Sequence, residues 1–407
     1  MGIEPLFYKF LAQTNWEAAI AILDGALQKE GRKKDLATYI GATQSWVSMF
    51  RNSSGDRWYR PSQEQFDKIL TLPIEPELRV QLKEYYERST EETVQTWIRP
   101  RRSILPEEAR GLLTEMQEAI HKANTENDPS RRSYLRAEAH RKGILKLIQL
   151  NPLANIYLAS NFAEACLFLS HLNLQLNRPE WCYWYARLAE RALVYRRERN
   201  ISTDRRSESI ELEALHTQVN ALHHLGAYRE ADDIHKQVAR KLHQTNGIWN
   251  YHRSLWLPRF NRDRIATAQH IPRRYLLHEL EKFAEETYPI IEQAGGEQSL
   301  KILVDRALMS VYIRQRNEKN YRKARRLIGE HWDYVETARN LDPLIATMFY
   351  RTCAQLEWLK GQWKNPMWEY VTSKALQIAY ARGFEGQLAG ISRNFPGAVD
   401  TNFPRIL

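Results

Sequence analysis

Leu225-Gly226-Ala227-Tyr228-Arg229-Glu230-Ala231 joins two helical stretches, and its reading decides the fold. Variants of the same junction recur at Asn320-Tyr321-Arg322-Lys323-Ala324, at Gly361-Gln362-Trp363 and at Arg178-Pro179-Glu180-Trp181. From Trp181 through Tyr228 and Tyr321 to Trp363 the junction aromatics are spaced 47, 93 and 42 residues apart. The gap of 93 is about two periods, with Pro272 to Pro289 filling the missing unit. Helix pairs repeating at about 34–47 residues indicate an α-solenoid, in which each pair has a face that it buries only by stacking on the next.

Outward from this junction nearly every periodic segment has a helical period. Trp16, Ala19, Ile20, Leu23 and Leu27 form one apolar face. Thr14 and Glu17 stand at the spacing of a capping box ahead of it. Alternation of period two is rare. Three regions separate. Residues 1–72 hold short helices with tight connections. Residues 73–106 are bounded by prolines and contain one long polar helix, about Glu77 to Ile98. Residues 107–407 hold long amphipathic helices in pairs, broken at Asn127-Asp128-Pro129, Asn177-Arg178-Pro179, Gly295-Gly296 and Asp342-Pro343. The junction at 225–231 resembles the tetratricopeptide repeat signature, which implies that a glycine turn and an aromatic lock two helices while a small residue lets them approach. The other junctions are degenerate and the period is longer than the usual 34, so the region reads as tetratricopeptide-like.

Composition agrees with an all-α chain. Its 407 residues include 17 glycines and 16 prolines, too few for a turn-rich β protein. A hydrophobic share of 43% is enough to bury sizeable cores, and a length of this order suggests two to four domains. Three cysteines with no CxxC fit a reducing cytosol and argue against a disulfide framework. No signal peptide is read at the start. The apolar stretch Asn155 to Leu174 is interrupted by Asn161, Glu164 and His171, so a buried helix is expected there and not a membrane span. The expected setting is cytoplasmic.

The stretch Asp35 to Leu72 carries the clearest functional pattern. Leu36, Ala37 and Ile40 give one helix an inner face, and Gly41 can take the positive φ that ends it. Thr43 can cap the next helix, whose Val47 and Phe50 face the core and leave Gln44, Ser45 and Ser48 outward. Ser62 can cap a further helix, with Gln65 completing a capping box. Residues 29–60 hold seven basic and three acidic side chains.

This order of caps, glycine and helices resembles the lambda-repressor-like, or XRE/Cro-like, helix-turn-helix family over about residues 14–72. The resemblance implies that Thr43–Arg51 lies in the major groove of double-stranded DNA, with Gln44 and Ser45 as base readers and Ser48 one turn further along. Trp46 and Met49 stand at exposed positions where the family more often has polar residues. Trp46 would stack on sugar or touch a thymine methyl. Lys33, Lys34, Thr43, Arg51, Arg57 and Arg60 are the phosphate candidates. The loop Arg57-Trp58-Tyr59-Arg60 either grips phosphate or packs as a loop.

The joined architecture is similar to peptide-sensing regulators of the Rap, Rgg and PlcR type. That likeness implies a short peptide bound by the repeats, a homodimer, and DNA affinity set by the peptide. Read from the residues, His216, Asn220 and Arg306 are polar positions on otherwise apolar helices and are the candidates for lining a ligand groove. Basic runs at Arg196–Arg199, Arg205-Arg206, Arg273-Arg274 and Arg322–Arg326 either receive an acidic peptide or nucleic acid, or are solvated faces. The twelve tryptophans read as inter-helix packing.

No phosphate loop, dinucleotide fingerprint, HExxH or GxSxG is present. His216 and His223 lack an acidic or cysteine companion, so neither metal nor cofactor nor catalysis is expected. The formal charge is +10. Residues 1–103 hold 15 basic and 14 acidic side chains, residues 104–407 hold 44 and 35, so the excess lies in the repeats. It points to an acidic ligand or to nucleic acid there. The expected protein is a DNA-binding regulator sensing a peptide or protein. The alternatives are a scaffold in a defence or mobile-element system and a nonspecific nucleic-acid binder.

Overall fold

The computed structural model describes residues 61–71, 76–87, 89–90, 104–126, 128–153, 155–176, 178–202, 204–243, 248–268, 270–271, 276–295, 297–359 and 365–395, together with Ala12, Asn15 and Ala19. Those residues form an all-α fold with no strand among them. They divide into two compact units, one drawn from Met1–Ala123, Ser133–Asn173 and Glu180–Glu211, the other from Asn124–Arg132, Leu174–Pro179 and Leu212–Leu407.

In the first unit, Ala12, Asn15 and Ala19 are helical and buried, so helix is already present upstream of the start expected at Thr14. Helix α1 (Gln63–Leu70) begins as its sequence dictates. Ser62 Oγ accepts the Gln65 N–H, and Gln65 Oε1 accepts the Ser62 N–H at 2.9 Å. Its Phe66 stacks on Tyr86 of α2 (Pro76–Glu87), ring centroids 3.6 Å apart, and the Tyr86 hydroxyl donates to Pro61 O at 2.9 Å. The long helix expected from Glu77 to Ile98 instead stops at Glu87. The Ser89 N–H and hydroxyl both take Tyr86 O, the local competition with helix that serine offers.

Helices α3 (Pro106–Thr125), α4 (Pro129–Gln149), α5 (Ala159–Gln175) and α6 (Pro179–Glu198) follow. Proline stands first in α3, α4 and α6, where its missing N–H costs nothing. Gly143 lets α4 approach α5 closely: a Cβ there would lie 2.7 Å from a Leu169 methyl. The apolar stretch expected to be buried is α5, preceded by one 3₁₀ turn at Ile156–Leu158 capped by Asn155. Trp181 and Trp184 pack inside.

Helix α7 (Arg205–Leu225) leads into the second unit. There α8 (Tyr228–His243), α9 (Ile248–Ala268), α10 (Leu277–Gln293), α11 (Gln298–Arg314), α12 (Glu318–Thr337), α13 (Pro343–Leu359), α14 (Pro366–Arg382) and α15 (Glu385–Asn394) pack pairwise in chain order, as a helical repeat-like array. The α7–α8 junction turns at Gly226, φ 74°, and the Ala227 N–H reaches back to Leu222 O at 2.9 Å. Ala231 is wholly buried at the crossing.

The array has two layers. Helices α9, α11, α13 and α15 pack directly on one another. The even-numbered helices reach each other through long side chains: Lys323 of α12 pairs with Glu281 of α10 at 2.6 Å, and the Tyr370 hydroxyl of α14 donates to Glu336 of α12 at 2.8 Å. The odd-numbered helices, whose backbones approach one another most closely, are called the inner layer. Trp332, Trp358 and Trp368 lie in the core beneath, as inter-helix packing.

Candidate ligand-binding face

Lys33, Lys34, Thr43, Gln44, Ser45, Trp46, Ser48, Met49, Arg51, Arg57 and Arg60 lie outside the described residues. The three groove candidates lie within them, on α7 and α11. His216 is half-buried on α7, and Asn220 stands one turn further along, also half-buried. Arg306 sits on α11, in the inner layer.

His216 and Arg306 converge on a pair that inspection of the sequence missed. His216 Nε2 lies 3.0 Å from Arg262 Nη2 and 2.9 Å from Asp263 Oδ2, both on α9. The Arg262 guanidinium also grips Asp263, its Nε donating to Oδ1 at 2.6 Å. Burial alone would raise the Asp263 pKa. Arg262 and His216 overcome that and hold the carboxyl far below the usual range.

Arg306 is close enough to Arg262 and Arg351 for both charges to act on it, and Asp263 opposes them. Its pKa is pushed down to about 9, first by burial and then by the two arginines. Its Nε is buried without a hydrogen-bond partner, and its side chain has no ion-pair partner among the described residues. The preceding carboxylate, Asp305, does not serve it. Asp305 faces the other layer, where Oδ2 accepts from His331 Nε2 at 2.7 Å and Oδ1 from the Tyr288 hydroxyl. Consecutive helical residues point about 100° apart, so the acid and the base part company. Arg351 on α13 donates to Gln387 of α15 at 3.0 Å and lies against Gly390, where a Cβ would come within 2.7 Å of its Nη1.

A signal for Arg262 and Arg351 was present in the sequence. His216, Arg262, Arg306 and Arg351 follow one another at 46, 44 and 45 residues, one per helix pair. They are the same register position repeated. The consecutive basic runs behave differently. Arg197 pairs with Glu211, Arg206 with Glu164, Arg322 with Glu318, Lys323 with Glu281, Arg325 with Glu357 and Arg326 with Glu330. Those six cations are matched by carboxylates where they stand, while in the ladder Asp263 is the carboxylate that holds Arg262 and opposes the charges on Arg306.

Beside the ladder lies a buried hydroxyl–imidazole set. Thr267 Oγ1 donates to Asp263 O at 2.7 Å, so the rings of His223 and His235, at 2.6 and 3.0 Å, donate to it through Nε2. Burial lowers the His223 pKa to about 4 and the His235 pKa to about 3, with Asp263 opposing. Among the described residues no three histidine, cysteine or acidic side chains gather as a metal set, and no helix is long and apolar enough to cross a membrane. No family model, curated protein or solved structure matches the chain.

Proposed function

We propose that the chain is a sequence-specific, cytoplasmic DNA-binding regulator. A helix-turn-helix domain in residues 1–72 docks Thr43–Arg51 in the major groove of double-stranded DNA. A tetratricopeptide-like α-solenoid carries a peptide or protein ligand and joins two copies. The pattern Asp35–Leu72 carries the DNA reading, and the reciprocal Ser62–Gln65 capping box at the start of α1 supports it, because the motif requires a helix to begin there. The inner-layer arginines support a ligand of acidic character on the repeats.

The experiment is binding to the gene's own upstream DNA against random DNA across a salt series. A regulator keeps its preference as salt rises, whereas a nonspecific binder loses affinity steeply for both. Gln44→Ala is expected to weaken the preferred site by about 1–3 kcal/mol and random DNA hardly at all. Equal losses on both would remove the base-reading role, and no binding to either would favour the scaffold.

A further inference from the structure

We infer that Arg306, flanked by Arg262 and Arg351 on the inner layer, is the receptor for a carboxylate of an extended acidic peptide lying across α9, α11 and α13. This rests on the proposed reading of the repeats as a peptide-binding array, and it assigns the anchor and the ligand's chemistry.

The outer rungs of the ladder are already engaged. Arg262 is clamped to Asp263 and His216, and Arg351 is seated on Gln387 in the space left by Gly390. The middle rung alone has its Nε buried and no partner for its side chain among the described residues. A guanidinium whose Nε is shut from water lacks an acceptor there, and a carboxylate matches its fork with two parallel hydrogen bonds. Asp305, the acid nearest in sequence, is fixed in the opposite direction by His331 and Tyr288. Among the described residues no acceptor reaches the Arg306 Nε, and an external carboxylate would supply one.

The geometry also selects the kind of ligand. The site is a partly buried guanidinium on a helix packed against its neighbours, which suits a single acid on a thin segment better than duplex DNA, a wide rod that presents its phosphates on a convex surface. Neighbouring inner helices are about 8–10 Å apart, and an extended chain advances about 3.3 Å per residue. Acidic residues three apart therefore span neighbouring helices, so that one reaches Arg306 while the other lies in the field of an engaged outer rung.

The test uses the full chain and two probe peptides, Ac-Glu-Ala-Ala-Glu-NH2 and Ac-Gln-Ala-Ala-Gln-NH2, followed by calorimetry and thermal unfolding. The glutamate peptide is expected to bind at least tenfold more tightly than the glutamine peptide. Arg306→Met is expected to abolish that difference without lowering the ligand-free melting temperature, because it removes an uncompensated buried charge. Arg306→Lys should retain part of the preference, and Arg322→Ala, on the even layer, all of it. Equal binding of the two peptides, an unchanged preference in Arg306→Met, or failure of Arg306→Met to fold would each overturn the proposal. So would displacement of the glutamate peptide by a short single-stranded oligonucleotide of equal charge at equal concentration, which would assign the ladder to phosphate. Preference for upstream DNA is measured separately, so loss of the regulator reading leaves the peptide result standing, and the reverse.

Discussion

Acidification should destabilise the second unit through two buried rings beside the ladder. His223 and His235 both donate to Thr267 and are neutral when buried, with pKa values lowered to about 4 and about 3. In the unfolded chain each titrates near ~6.5. The folded values are the lower ones, so below pH ~6.5 the unfolded state binds more protons and stability falls with pH. The loss begins as pH drops through ~6.5 and levels off only near the folded values. Between pH 7 and pH 5 each ring should cost about 2 kcal/mol by linkage, about 4 for the pair. For a unit of this size 1 kcal/mol moves the melting temperature by about 2–4 °C. The wild type should therefore lose roughly 8–16 °C over that range from these two rings.

The comparison is the double variant His223→Gln, His235→Gln, whose amides still donate to Thr267 but do not titrate. Melting followed by far-ultraviolet circular dichroism at pH 8, 7, 6 and 5 should give a steep fall in wild type and a much shallower one in the variant. A residual slope is expected from His270, whose pKa is lowered to about 4 by burial and Arg314, and which is partly exposed and stacked on Tyr228. Asp263 stays ionised throughout, so it adds no slope in this window. Parallel falls in the two proteins would refute the assignment of the acid sensitivity to this pair.

Two further perturbations address the same unit. Gly383 ends α14 at φ 61°, and a Cβ there would lie 2.8 Å from Arg132 Nη1, which donates to Ala381 O at 3.0 Å. Gly383→Ala should cost at least about 1–2 kcal/mol from the backbone alone, read as a lowered midpoint in urea with unchanged slope; an unchanged midpoint would contradict the cap. Asp305→Ala strands the buried His331 and the partly buried Tyr288 donors and should cost about 3 kcal/mol or more by the same measurement. A loss below about 1 kcal/mol would show that water or a neighbour satisfies both donors.

Much of the fold was legible because its determinants are local. Proline starts α3, α4, α6 and α13 where the breaks were read, and Gly226 takes the positive φ that its junction requires. Ser62 and Gln65 close the expected box. The failures were local competitions that periodicity does not weigh. Ser89 diverts the chain off α2, so the polar pattern running on to Ile98 does not continue as that helix.

The site was legible to a different degree, for a reason that follows from the architecture. A run such as Arg322–Arg326 draws attention in one dimension, yet a helix sends its members to different faces, where each finds its own glutamate. Charge that accumulates in space must instead recur once per helix pair, as His216, Arg262, Arg306 and Arg351 do. At that spacing the four never look like a cluster, and Arg306 was visible only as a polar residue on an apolar helix. The net charge divides in the same way. The Arg322–Arg326 run contributes to the count of +10 but is matched where it stands, while on the inner layer the charges of Arg262 and Arg351 both bear on Arg306. In a repeat protein the period that stacks the helices also aligns equivalent side chains, so the spacing that reveals the fold is the one to apply to charge.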